Sequence, residues 1–104
     1  MDLERIAPPM RRVVTVVSKK GCHLCEKVVV TLTSLSSTFH LEVRVIDIGD
    51  DRALHDKYWL IIPAVLIDGK DVFDVRHMGG EVNYAVMLEQ LLTAYDSNSL
   101  SASR

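Results

Sequence analysis

The sequence predicts an α/β domain: a mixed four-stranded sheet with helices on both faces. Three observations predict it. Val13–Val17 and Ala64–Ile67 are apolar runs of strand length, and Glu42–Ile48 alternates between apolar and polar residues. Between and after them lie segments whose apolar residues recur at helical spacing. The dipeptide Asp68-Gly69 joins the third strand to a fourth, since both residue types tolerate positive φ. The order is strand, helix, strand, helix, strand, strand, helix (β-α-β-α-β-β-α). A helical crossover makes the first two strands parallel, and the short turn makes the last two antiparallel.

Each element has its own reason. Val13-Val14-Thr15-Val16-Val17 is β-branched throughout and does not alternate, which suits a strand covered on both faces. Ser18-Lys19-Lys20-Gly21 is a polar loop. From His23 to about Ser36, Leu24, Val28, Leu32 and Leu35 share one helical face. Val28-Val29-Val30 opposes a helix on propensity, but length and period outweigh it. In the second strand Val43, Val45 and Asp47 lie on one side and Arg44, Ile46 and Ile48 on the other. Asp50 or Asp51 caps a short helix with Leu54 and Tyr58 on one face. Tyr58 and Trp59 are expected in the core, with groove lining as the alternative for Trp59. The fourth strand is Asp71–Val75, Gly79-Gly80 breaks the chain, and Glu81 to about Ala94 is the last helix, with Tyr84, Met87, Leu88, Leu91 and Tyr95 as its apolar stripe. Asp68 and Gly69 are read as turn chemistry alone.

With 104 residues and 48% hydrophobic content, the chain is expected to form one domain with an ordinary core. Residues 13–95 make up that domain. Residues 1–12 are expected to be a flexible extension, and the Ser-rich residues 96–104 a disordered tail. Met1 to Arg12 lacks the apolar region of a secretory signal. Its arginines suit a transit peptide, but Asp2 and Glu4 do not. No apolar stretch approaches the ~20 residues that cross a bilayer. The formal net charge is −2 with basic residues dispersed, so neither nucleic acid nor an anionic membrane is an expected partner.

The chain has 2 cysteines, Cys22 and Cys25, at the junction of the first strand and the first helix. Two thiols one helical turn apart can form a disulfide, and a helix N-terminus lowers the pKa of a thiol placed there. A free cysteine titrates near ~8.5, and lowering it by ~2 units takes about 2.7 kcal/mol of preference for the anion. A helix N-terminus supplies up to ~2 kcal/mol in a favourable site. Unpaired N–H groups and the ammonium of Lys19 or Lys20 are available for the rest. Cys22 precedes the helix and Cys25 lies a turn inside it, so Cys22 is the better candidate nucleophile. So few cysteines in a chain this long point to a reducing compartment (cytoplasm, or mitochondrion), with a lone structural disulfide as the alternative.

The element order, Lys20-Gly21-Cys22-His23-Leu24-Cys25 and Ile61-Ile62-Pro63-Ala64-Val65-Leu66-Ile67-Asp68-Gly69-Lys70 together resemble the thioredoxin fold. Within it, the chain is similar to glutaredoxins and small glutaredoxin-like proteins from about Val13 to Leu92. The resemblance implies that Cys22 attacks and Cys25 resolves, and that the Ile62–Pro63 bond is cis and lies beside the thiols. It also implies that the backbone of Ile62 pairs with an extended substrate, and that Lys19 or Lys20 touches a glutathione carboxylate. The family's Gly-Gly, which holds the γ-glutamyl end of glutathione, has no counterpart at the matching place, where Phe73-Asp74 stands. Either a longer loop delivers Gly79-Gly80 to the groove, or glutathione binding is weak or absent. Gly21 stands where thioredoxins carry tryptophan, and His23-Leu24 is neither family's usual middle dipeptide.

The expected function is therefore thiol–disulfide exchange on protein disulfides or glutathionylated proteins by a monomer with no bound cofactor. Glutathione, as co-substrate, or a thioredoxin-type reductase would be the electron donor. His23 either tunes the thiolate or is an exposed spacer. Arg76 and His77 form either an anion site or a polar loop. Two rivals stand beside this reading: an iron–sulfur or metal carrier, for which one C-x-x-C supplies two of the four thiolates usually needed, and a non-enzymatic interaction module, since fold does not fix function.

Overall fold

The computed structural model describes residues 12–77 and 84–102. The expected extension up to Arg11, the Gly79-Gly80 break and the helix start at Glu81 lie outside them. Four strands form one sheet: β1 (Arg12–Ser18), β2 (Leu41–Asp47), β3 (Ala64–Ile67) and β4 (Lys70–Asp74), in the spatial order β2-β1-β3-β4. β1 and β2 are parallel, with Arg12 opposite Leu41 and Ser18 opposite Asp47. β3 runs antiparallel to both β1 and β4. The mixed sheet is the one the crossover and the tight turn require.

Helices α1 (His23–Phe39) and α3 (Tyr84–Ala102) pack on one face, and α2 (Arg52–Tyr58) on the other. Strand period 2 divides the side chains. Val14, Val16, Val65 and Ile67 join Val28, Leu32 and Leu88 in the larger core. Val17 and Ala64 point the other way, toward Ile48 and Tyr58. Val14, Val16 and Val17 are all fully buried, which is why the first strand shows no alternation.

α1 forms in spite of its three valines. A β-branched residue costs under ~0.7 kcal/mol of helix propensity, whereas burying a valine side chain contributes roughly 1.5–3 kcal/mol, and Val28 is 0% exposed. The helix runs past the expected end at Ser36 to Phe39. The hydroxyls of Ser34 and Ser36 donate to the Thr31 and Thr33 carbonyls at 2.8 and 2.6 Å, so they stay within the helix instead of breaking it. His40 ends it in the left-handed region (φ 56°), its N–H donating to the Ser36 carbonyl. α3 likewise continues past Ala94 to Ala102, where the sequence has neither Gly nor Pro to stop it.

Asp51 caps α2, its Oδ1 accepting from the Ala53 N–H at 2.8 Å and the Leu54 N–H at 3.2 Å. Asp51→Ala is expected to cost about 1 kcal/mol, measured as a lower urea midpoint with an unchanged m-value. Trp59 corrects the core expectation. Helix α2 ends one residue before it, and its ring lies half exposed, stacked on His55 at 6.1 Å. Tyr58 is buried as expected, and its hydroxyl donates to Asp71 Oδ1 at 2.8 Å, joining α2 to β4.

The β3–β4 turn has positive φ at both central residues, Asp68 (50°) and Gly69 (86°), as a two-residue hairpin requires. Asp68 also does more than turn the chain. Its carboxylate accepts from the Val13 N–H at 3.1 Å and from Arg12 Nη1 at 3.0 Å. Arg12 in turn donates to the Tyr95 carbonyl and lies over that ring, so the start of β1 is tied to both the hairpin and α3. None of the helices among the described residues is long and apolar enough to cross a membrane.

Candidate active site

The loop after β1 is built to deliver Cys22 to the start of α1. The Cys22 N–H donates to the Lys19 carbonyl at 3.1 Å, closing a four-residue turn, and Gly21 takes the positive φ (82°) that a type II turn needs at its third residue. Cys22 is the N-cap of α1. Its carbonyl accepts the first helical bond, from Glu26, and its Sγ accepts from the Cys25 N–H at 3.1 Å. The sulfur thus occupies the position that Ser or Asp takes in an ordinary cap, facing the unpaired N–H groups and positive dipole end of the helix.

Cys22 and Cys25 are disulfide-bonded, with Cα atoms 5.2 Å apart. Their surroundings differ. Cys22 is partly exposed, while Cys25 is buried on the core side of the helix. One sulfur is reachable from solvent and the other stands behind it.

The Ile62–Pro63 peptide is cis. Ala64 is the register partner of Val17, so Pro63 enters β3 at the end of the sheet where β1 leaves for the dithiol. Pro63 is fully buried and Ile62 half buried against the α2-side core. Lys19 lies beside both cysteines on the wall of a cleft, whereas Lys20 is exposed and outside that wall. His23 is exposed, its Nδ1 3.7 Å from the Glu26 carboxylate. Gly79 and Gly80 lie outside the described residues.

Sequence reading missed the cleft itself. It holds about 320 Å³ and is lined by Ser18, Lys19, Cys22, Cys25 and Glu26 together with Val29, Val30 and Val45. A signal was present. Three consecutive valines span more of a helix than its buried stripe can cover: Val29 packs at the margin of the core, and Val30 is turned outward.

Arg76 and His77 turn back on Asp74. Arg76 Nε donates to Asp74 Oδ1 at 2.9 Å and Nη2 to Oδ2 at 2.7 Å, and the Arg76 N–H adds a bond at 2.9 Å. His77 Nδ1 accepts from the Asp74 N–H at 3.0 Å, and its ring stacks on Phe73. These contacts favour the polar-loop reading of the pair. The Arg76 bonds hold the Asp74 carboxyl below its ordinary range, against the opposing effect of burial. A carboxyl that protonates at lower pH when folded adds stability above its unfolded value near 3.8, and that stability is lost as pH falls through the lower folded value. Asp74→Asn is therefore expected to lower the urea midpoint at neutral pH, with the difference from wild type shrinking as pH falls below 3.8.

A mixed sheet in this order, a dithiol capping the first helix and a cis proline opening the third strand define a thioredoxin-fold protein with a C-x-x-C pair. The family described as Glutaredoxin-like domain (DUF836) matches residues 13–96, and the chain belongs to it. Among solved structures, the chain is similar to protein Ne2328 of Nitrosomonas europaea, with 26% identity over 65% of this chain and 82% of that one and a TM-score of 0.59. It is also similar to the oxidised thioredoxin of Plasmodium falciparum, with 19% identity, a TM-score of 0.55, and 82% and 81% of the two chains covered. The thioredoxin of Fasciola hepatica gives 19% identity and a TM-score of 0.55 over 89% and 90%. At that identity the two thioredoxins speak for the fold alone. No curated protein matches the chain significantly.

Proposed function

We propose that this chain is a thiol–disulfide oxidoreductase of glutaredoxin-like type, reducing protein disulfides or glutathionylated cysteines in a reducing compartment. The observation that supports it most is the asymmetry of the pair: Cys22 caps a helix with its sulfur on an N–H group, and Cys25 waits bonded and buried behind it.

In the reduced protein, the Cys22 thiolate attacks one sulfur of the substrate disulfide. A new S–S bond forms, and the other substrate sulfur leaves as a thiolate that takes up a proton from solvent. Cys25 then loses its proton and attacks Cys22 Sγ. The substrate's second cysteine leaves reduced, and the protein carries the intramolecular disulfide. Two electrons pass from the dithiol to the substrate, and an external thiol, either glutathione or a reductase dithiol, restores them. The chemistry resides in the two sulfurs and needs no resident cofactor.

The test is to mix reduced protein with a glutathionylated peptide and follow both products. Release of glutathione together with loss of two protein thiols supports the reading; no release, together with no reduction of peptide disulfides, contradicts it. Recycling by glutathione alone, compared with recycling by a thioredoxin-type reductase, identifies the donor.

A further inference from the structure

The cleft beside the dithiol has a composition that matters for substrate choice. Its walls are Val29 and Val30 of α1 and Val45 of β2, and Val30 and Val45 are 67% and 52% exposed. Among the described residues β2 ends the sheet, with β1 as its paired neighbour. Val45 is the register partner of Val16, on the far side of β1 from β3. The cleft therefore flanks the dithiol on the side opposite Pro63. Two charged residues of opposite sign line it, Lys19 and Glu26.

We propose that this cleft seats an uncharged aliphatic side chain next to the half-cystine of a protein substrate, and so selects apolar-flanked protein disulfides over anionic ones such as glutathione. The proposal rests on the exchange reading given above. Three features carry it. Cys22 and Cys25 themselves form part of the wall, so a chain presenting its sulfur to Cys22 brings its neighbouring residue to the cleft. At about 320 Å³ the space is at the small end of ligand pockets, ~300–1,000 Å³. Its opposed Lys19 and Glu26 charges give no net attraction for a carboxylate, while exposed valines lose water when an aliphatic group covers them.

The test uses two short peptides, each a symmetric disulfide, with Leu or Asp beside the half-cystine, and reads the ratio of kcat/KM values. Wild type is expected to favour the Leu peptide by ~10-fold or more, the scale of apolar pocket discrimination. Val45→Asn is expected to bring the ratio to within about threefold of one, and Val30→Asn, at an exposed helix position, to do the same. Val86→Asn makes the same change at an exposed site on α3 and is expected to keep the wild-type ratio. A wild-type ratio near one, or a ratio that survives both cleft substitutions, overturns the cleft assignment while leaving disulfide exchange standing. A wild-type protein inert toward both peptides and toward hydroxyethyl disulfide overturns the exchange reading and this proposal with it.

Discussion

Cys22→Ser is expected to reduce disulfide turnover to the uncatalysed background, whereas Cys25→Ser is expected to complete the first half of the reaction and stop. The two outcomes differ because the sulfurs differ in position, not in kind. Cys22 caps α1 and is partly exposed; Cys25 is 1% exposed and bonded to it. A serine at residue 22 still caps the helix, since its oxygen can accept the Cys25 N–H. The variant should therefore fold, and its loss of activity reports the missing nucleophile. A serine at residue 25 leaves the attacking sulfur intact but removes the second attack. The protein should then accumulate as a mixed disulfide with its substrate, visible as an intact mass increase that a reductant reverses. A Cys22→Ser protein with wild-type turnover would exclude the assignment. Equal trapping in both variants would show that the two thiols share one role.

Leu32→Ala is expected to have the largest effect on stability, a loss of about 2–5 kcal/mol. Leu32 is 1% exposed and belongs to the cluster that joins α1 to the sheet and to α3. Truncation there removes apolar contact and opens a void within that cluster. A loss of that size is a large part of the ~5–15 kcal/mol that holds a domain together. For a domain near 100 residues it corresponds to a fall in Tm of roughly 10 °C or more. Differential scanning calorimetry measures it. Val30→Ala, on the exposed side of the same helix, is expected to change Tm little, so the contrast separates core packing from helix propensity.

Most of the fold was legible because strand burial and helix period leave direct marks on a sequence. Val13–Val17 shows no alternation because helices cover both its faces, and Leu24, Val28 and Leu32 mark the stripe that α1 presents to the core. Asp51 was a readable cap. What escaped was tertiary. Nothing local to Asp68 shows that its carboxylate reaches back to Arg12 and the Val13 N–H across the sheet. Trp59 is apolar and adjacent to a buried tyrosine, yet one residue of helical rotation turns it outward onto His55. At the site, the cysteines and their order were legible from spacing. The cleft was not, because it depends on Val45 of β2 meeting Val29 and Val30, residues brought together by the parallel crossover.

The mechanism requires the sulfur of residue 22 to be stable as an anion at the start of α1. The most direct measurement is the pH dependence of alkylation at Cys22 in the Cys25→Ser protein, which keeps the residue 25 N–H and leaves one titrating thiol. The rate is expected to rise with a midpoint clearly below the ~8.5 of a free cysteine. A midpoint at or above that value would mean that the helix N-terminus does not stabilise the thiolate, and would contradict the mechanism.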